Sequence, residues 1–212
     1  MGGAVAWIGA AVGFLVLEAV AAAAVAPGYD YAENYISALG VPARSPLAAA
    51  MNTAFYAQGI LFLVGSFLVV RGSAAAHSGL FLALVATNTV GNIAVATVHA
   101  GSAPSASGSA WLHGLGAVLA LVAGNAAIVA GSSRLAQSVG VRWYRAVSIG
   151  LAALGCLALV MLLRALVIPA SNASLRGLWE RTSAYSTLIW QTLSAVLLIT
   201  ASIRRVSARS DS

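Results

Sequence analysis

Side chains able to do chemistry occur at only a few places in this sequence. Six of them carry the acidic, amide, hydroxyl, imidazole and guanidinium groups that ligand binding uses: Asp30, Asn34, Ser37, His113, Glu180 and Arg181. An arginine offers paired donors to a phosphate, and a histidine beside a carboxylate can move protons. We predict that these residues bind a lipid headgroup or a small polar molecule. His113, Glu180 and Ser37 are the candidate catalytic residues, and whether the site is catalytic stays open.

Other kinds of chemistry lack the residue spacing that they need. No HxxxH or HExxH pair occurs, so a zinc site would need ligands from separate loops, and we predict no metal site. No GxSxG elbow supports a serine nucleophile. Gly114 and Gly116 lie in an apolar run rather than between a strand and a helix. This context disfavours ATP and dinucleotides, and we predict no cofactor.

The composition indicates which elements position these side chains. Of 212 residues, 60% are hydrophobic and 8% are charged, so lipid must be the main solvent of the fold. Six runs approach the roughly 20 apolar residues that a membrane-spanning helix needs. They cover residues 4–26, 47–70, 78–98, 111–131, 146–168 and 183–203. We predict an all-α integral membrane bundle of six transmembrane helices, forming one domain over residues 1–212.

Charge predicts the orientation of this bundle. All 11 basic residues are arginines, and the net charge is +6. No basic stripe is interleaved with aromatic residues, so we predict no nucleic-acid partner. Gaps on one side of the spans hold Arg71, Arg134, Arg142, Arg145, Arg204, Arg205 and Arg209, whereas the other side holds Arg44, Arg176 and Arg181. The positive-inside rule then places both termini in the cytoplasm, with the protein in the plasma membrane.

A short interfacial helix is predicted after the first span, over Tyr29–Gly40. Its polar residues fall on one face, at i, i+3, i+4 and i+7: Asp30, Glu33, Asn34 and Ser37. Tyrosines and aliphatic residues occupy the opposite face: Tyr31, Tyr35, Ile36 and Leu39. With the positive-inside orientation, this helix and the other polar groups gather at the outer end of the bundle.

Polar residues inside the spans should face other helices, because lipid penalises them. The sixth span carries such a stripe: Glu180, Ser183, Thr187 and Gln191. Glu18 and Arg164 are intramembrane charges, and each costs about 2.5–3.5 kcal/mol at bilayer depth. They are expected to pair with each other or with Glu180 and Arg181, unless Arg164 extends to the headgroups. Gly9 and Gly13 form a GxxxG pattern, which is typical of close helix contacts.

Three motifs follow one another along the chain: Asn34–Gly40; His113, Gly114 and Ala117; and Trp179, Glu180, Arg181 and Tyr185. On these motifs the chain resembles a prokaryotic membrane family, domain of unknown function 998. Ala38 stands where that family usually has an acidic residue, so no role of that carboxylate carries over. The Ile-Ser-x-x-Gly element resembles, more distantly, the six-span Frag/DRAM/Sfk-like membrane proteins. The resemblance implies a six-helix membrane fold and brings no activity with it.

Three functions are compatible with these patterns. The first is a polar site at the outer helix ends that binds or processes a lipid headgroup or small polar molecule. The second is a non-catalytic helical subunit or scaffold of a membrane complex. The third is a small-molecule transporter, which ranks last because the spans have few interruptions. Membrane lipids are the expected partners, and the sequence leaves the oligomeric state open.

Overall fold

Six long helices form the chain in a computed structural model that describes residues 1–72, 78–99, 107–168 and 175–210. They are α1 (Gly2–Val25), α2 (Ala48–Gly72), α3 (Gly79–Thr97), α4 (Ser107–Val139), α5 (Tyr144–Val167) and α6 (Arg176–Ser210). Each of the six is long and apolar enough to cross a membrane. The prediction of an all-α fold with six membrane-spanning helices is therefore confirmed.

The helices α4 and α6 are longer than the predicted spans. Helix α4 has 33 residues and α6 has 35, which is about 50 Å each at 1.5 Å per residue. A bilayer core needs only about 20 residues. Hydropathy locates only the apolar part of each helix, and both helices continue through more polar residues such as Arg134, Gln137 and Arg204. Both helices are therefore longer than a bilayer core requires.

Close approach of α1 and α2 depends on glycines that face each other. A Cβ atom added at Gly3 would lie 2.6 Å from the carbonyl oxygen of Gly65, so only glycine fits there. By contrast, nothing lies within 4 Å of a Cβ atom added at Gly9 or Gly13. The prediction of a close contact at Gly9 and Gly13 is therefore wrong within this chain. Their pattern lies on a different face of α1 from the one that packs.

Two tryptophans join α1, α2, α5 and α6 in the half of the bundle where α1 begins. Trp7 and Trp190 are fully buried, and their ring centroids are 5.6 Å apart. The Trp7 Nε1 donates to the carbonyl oxygen of Phe62 at 3.2 Å, and the Trp190 Nε1 donates to Ser148 Oγ at 3.1 Å. Both indole donors are thus satisfied inside an apolar core.

The segment between α1 and α2 differs from the predicted two-faced helix. Only Ile36–Gly40 is helical, as a short 3-10 helix, and Ile36 and Leu39 are buried against the bundle. Before it, Asp30 Oδ1 accepts hydrogen bonds from two following backbone N–H groups, at 2.7 and 3.0 Å. Such an aspartate turn competes with helix formation. The segment is consequently a turn followed by a buried 3-10 helix.

Candidate functional site

Arg181 is the centre of a buried network at the end of the bundle where α6 begins. Its Nε donates to Glu18 Oε1 at 2.9 Å, and the two residues are 5% and 1% exposed. Its Nη1 donates to the carbonyl oxygens of Tyr31 and Asn34, at 2.6 and 2.8 Å. Its Nη2 donates to the Tyr29 hydroxyl. Each guanidinium nitrogen therefore donates to a group of the chain itself.

Glu18 uses both carboxylate oxygens in this network. Oε1 accepts from Arg181, and Oε2 accepts from the Tyr185 hydroxyl at 2.7 Å. Arg181 and Tyr185 reach one carboxylate because residues at i and i+4 share a helix face. The sequence left open whether Glu18 pairs with Arg164 or with residues of the sixth span. The structure pairs it with Arg181, and Arg164 is exposed on α5.

Tyrosines of the turn after α1 enclose the Arg181 guanidinium. Its Cζ lies 4.6 Å from the centre of the Tyr31 ring and 5.4 Å from that of Tyr29. The Tyr29 hydroxyl donates to the Tyr35 carbonyl at 3.0 Å. Burial raises the pKa of the Tyr29 hydroxyl above the usual tyrosine value, although the positive charge of Arg181 opposes the rise. The hydroxyl thus stays protonated near neutral pH and remains a donor.

The first turn of α6 packs directly against the backbone of the turn between α1 and α2. A Cβ atom at Gly177 would overlap the carbonyl oxygen of Asn34 and would lie 2.7 Å from that of Tyr31. The backbone N–H of Leu178 donates to the Ala32 carbonyl at 2.9 Å. Glycine at 177 therefore lets α6 approach closely enough for Arg181 to reach the turn.

Glu180 lies beside this network but has different partners. Its side chain is buried, and its Oε2 accepts from the backbone N–H of Ile36 at 2.5 Å. Between residues that the structure describes, one ion pair has an N···O distance below 4 Å, and it joins Arg181 to Glu18. Two buried carboxylates thus accompany one buried guanidinium, which is paired with Glu18.

Glu180 also lines a cavity of about 50 Å³ between α1, α2, α3, α4 and α6. The other polar residues of its wall are Gln58, Asn88, Asn92 and Thr187. The Gln58 Nε2 donates to Gln191 Oε1 at 2.6 Å, while the buried Gln58 Oε1 has no hydrogen-bond partner. The predicted polar stripe of α6 faces the bundle, which confirms its inward orientation: Glu180, Ser183, Thr187 and Gln191 are 8%, 0%, 5% and 0% exposed.

The remaining predicted site residues contribute less directly. His113 Nδ1 donates to the Val98 carbonyl at 2.6 Å, so this histidine joins α4 to the end of α3. Asp30 is exposed and bonds within its own turn, and Asn34 Oδ1 accepts from the Asp30 N–H at 2.8 Å. Ser37 is half-buried. The structure therefore brings Glu180 and Arg181 together with backbone groups of Ile36 and Asn34, whereas His113 bonds to Val98 and Asp30 bonds within its own turn.

Sequence reasoning missed three residues of the site. The sequence patterns do not mark Tyr29 or Gln58 as site residues, and they include Tyr185 only within a motif. Gln58 had a usable signal, because an amide in the middle of a predicted membrane span is costly to expose to lipid. Burial also raises the pKa of the Tyr35 hydroxyl above the usual tyrosine value, and the positive charge of the neighbouring Arg176 opposes the rise.

The described residues include no group of three or more His, Cys, Asp or Glu side chains that could hold a metal ion.

Comparison with known proteins gives one result. Neither the curated proteins nor the solved structures contain a match to the chain. The model of a family described as "protein of unknown function (DUF998)" matches residues 8–197, which reach from α1 into α6 and include the whole network around Arg181. The chain therefore belongs to the DUF998 family.

Proposed function

We propose that this protein binds a small hydrogen-bond-donating group, foremost a primary ammonium, in the cavity beside Glu180. The group would belong to a lipid headgroup or to a small polar molecule. The observation that carries the proposal is the buried carboxylate of Glu180 on the cavity wall, close to a guanidinium already paired with Glu18. The proposed binding does not need Arg181 to contact a phosphate group, because its guanidinium nitrogens already donate to groups of the chain.

Charge balance favours a cationic group. Two buried carboxylates, Glu18 and Glu180, accompany one buried guanidinium, Arg181, so the cluster carries one excess negative charge when both acids are ionised. An uncompensated buried charge costs several kcal/mol in proteins. An ammonium beside Glu180 would compensate it. Its N–H groups would also match the free acceptor at Gln58 Oε1.

The volume of the cavity beside Glu180 limits the size of the group that it can hold. The cavity of about 50 Å³ exceeds the roughly 30 Å³ that a water molecule occupies in the liquid. It accommodates the ammonium end of a molecule but not a complete sugar or phospholipid. The apolar part of the wall includes Phe14, Phe55 and Leu188, which suits a short methylene stem behind the polar group.

A structural role is the second candidate, and the saturation of Arg181 supports it. Arg181 ties α1, α6 and the turn between α1 and α2 through hydrogen bonds within the chain. A helical subunit or scaffold would need only this rigidity. In that case the polar groups around Glu180 would serve helix packing, and no small probe would bind.

The two candidates separate in a binding experiment on the full chain in phosphatidylcholine nanodiscs. Ethanolamine should raise the unfolding temperature, whereas choline, which has no N–H donor, should do so much less. Glu180→Gln keeps an acceptor for the Ile36 N–H and should abolish the ethanolamine shift; Thr187→Val should reduce it. Ser186→Ala is the matched control, because Ser186 Oγ bonds within α6 to the Thr182 carbonyl.

Each outcome of this experiment decides between the candidates. An ethanolamine shift that persists in Glu180→Gln contradicts the proposed site. Loss of folding in both Glu180→Gln and Thr187→Val without any probe supports the structural subunit. Repeating the measurement with phosphatidylethanolamine in the nanodisc tells a lipid headgroup from a free amine.

The site would open toward the outside of the plasma membrane if the arginine-rich end is cytoplasmic, as the positive-inside rule predicts. Single cysteines test this orientation in a Cys156→Ser background. A membrane-impermeant maleimide should label Glu33→Cys on intact cells and Gln137→Cys only after permeabilisation. The reverse pattern would overturn the orientation.

A further inference from the structure

A second cavity lies at the opposite end of the bundle, where α1 begins and α6 ends. It has a volume of about 470 Å³ and is bounded by α1, α2, α4 and α6. Arg134 of α4 and Arg205 of α6 both line it, together with Gln137 and Ser138. The Arg205 Nη2 donates to the Ser138 carbonyl at 3.0 Å, which joins the last turn of α4 to α6.

Among the residues that the structure describes, the charge at this end has a single sign. Six described arginines lie at this end of their helices or just beyond it: Arg71, Arg134, Arg142, Arg145, Arg204 and Arg205. The described acids are Glu18, Asp30, Glu33 and Glu180, and they belong to the network at the other end or to the turn beside it. A concave surface lined by one sign of charge concentrates ions of the opposite sign. The cavity is therefore suited to an anion.

The wall of the cavity is amphipathic. Leu68 and Val69 of α2, with Leu198 and Ile199 of α6, form its apolar part. The guanidinium groups reach it from the ends of α4 and α6. A ligand that satisfies both parts has an anionic group joined to a hydrocarbon portion. Arginine suits a phosphate group, because its paired N–H donors match two phosphate oxygens.

We infer that this cavity binds a phosphate group through Arg134 and Arg205, and that the phosphate belongs to an anionic phospholipid. The volume falls within the 300–1,000 Å³ usual for ligand sites and admits a glycerophosphate headgroup. A soluble phosphate ester would offer the same anionic chemistry without the hydrocarbon portion. This site is separate from the Glu180 cavity and does not depend on the function proposed for it.

Lipid retention tests the inference on the full chain. The protein is placed in nanodiscs that contain equal amounts of phosphatidylglycerol and phosphatidylcholine, and the lipids that remain bound after release are counted by native mass spectrometry. Phosphatidylglycerol should be retained over phosphatidylcholine by on the order of tenfold. The double variant R134Q/R205Q should retain the two lipids almost equally. The matched control R142Q/R145Q removes two arginines of the same end that do not line the cavity, and it should behave like the original chain.

A second variant tests the cavity if the double variant does not fold. Ser202 of α6 lines the same cavity, and Ser202→Glu places a carboxylate there while both arginines remain. This variant should also lose most of the preference for phosphatidylglycerol. Equal losses in R134Q/R205Q and R142Q/R145Q would overturn the inference, because general surface charge would then explain the preference. An unchanged preference in R134Q/R205Q or in Ser202→Glu would overturn it as well.

Free glycerol 3-phosphate tells the two phosphate sources apart. It is added to the protein in nanodiscs of phosphatidylcholine alone, and the unfolding temperature is measured. A small or absent rise, beside a clear rise with phosphatidylglycerol, supports the lipid. A rise with glycerol 3-phosphate alone, lost in R134Q/R205Q, would overturn the lipid part and leave a site for soluble phosphate esters.

Discussion

The two ends of the bundle use arginine in opposite ways. Arg181 is 5% exposed and donates to the carboxylate of Glu18, to backbone carbonyls and to a tyrosine hydroxyl. Arg134 and Arg205 are exposed beside a cavity, at an end with no acid among the described residues. A buried guanidinium must have its charge compensated within the chain, whereas an exposed one is also solvated by water. Burial thus separates an arginine that stabilises the fold from arginines able to bind a ligand.

The largest loss of stability is expected when the counter-charge of the buried Arg181 is removed. Glu18→Gln keeps the side-chain volume but leaves the buried Arg181 without its counter-charge. Breaking a buried ion pair by removing one partner costs about 3–5 kcal/mol. The free energy of unfolding, measured with denaturant in detergent micelles, should fall by this amount. Glu33→Gln is the control, because Glu33 is exposed, and a loss as small as in the control would show that Arg181 does not need Glu18.

A smaller effect is expected from the hydrogen bond on the other side of the same carboxylate. Tyr185→Phe removes the hydroxyl that donates to Glu18 Oε2 at 2.7 Å. Hydrogen bonds to charged groups contribute about 1.5–3 kcal/mol, so the free energy of unfolding should fall within that range. The control is Tyr31→Phe, which keeps the ring over Arg181 and should change little. Equal losses in both variants would argue against the bond to Glu18.

Disturbing the close approach of α6 to the turn after α1 should lower the free energy of unfolding by a similar or slightly smaller amount. Gly177→Ala forces a Cβ atom against the carbonyl oxygens of Asn34 and Tyr31, and such overpacking costs about 1–3 kcal/mol. Gly150→Ala is the control, because nothing lies within 4 Å of a Cβ atom there. Alanine favours a helix over glycine by up to about 1 kcal/mol, so the control should be neutral or more stable. A stabilising Gly177→Ala would contradict the observed contact.

The smallest effect is expected for the other charge predicted inside a span. Arg164 is exposed on α5, and substitutions at such positions usually change stability by less than about 0.5 kcal/mol. Arg164→Gln should therefore leave the free energy of unfolding nearly unchanged under the conditions used for Glu18→Gln. A loss as large as that of Glu18→Gln would revive the pairing of Glu18 with Arg164.

Some parts of the site followed from local patterns, and others did not. The inward orientation of Glu180, Thr187 and Gln191 was predictable, because their spacing on one helix and the cost of exposing them to lipid suffice. The partner of Glu18 was not, because it lies 163 residues away on a helix whose neighbours the sequence does not specify. The turn after α1 also escaped prediction, because burial of Ile36 and the bonds of Asp30 override its helical spacing.

The sequence by itself determined that six apolar helices cross a membrane, because hydropathy and span length are local properties that lipid imposes on each helix separately. Only the tertiary structure decided which faces of those helices meet. Gly3 packs while Gly9 and Gly13 do not, and Glu18 meets Arg181 rather than Arg164. The physical reason is that apolar helices in lipid choose neighbours by shape and by the pairing of their few polar groups. Both depend on positions far apart in the chain.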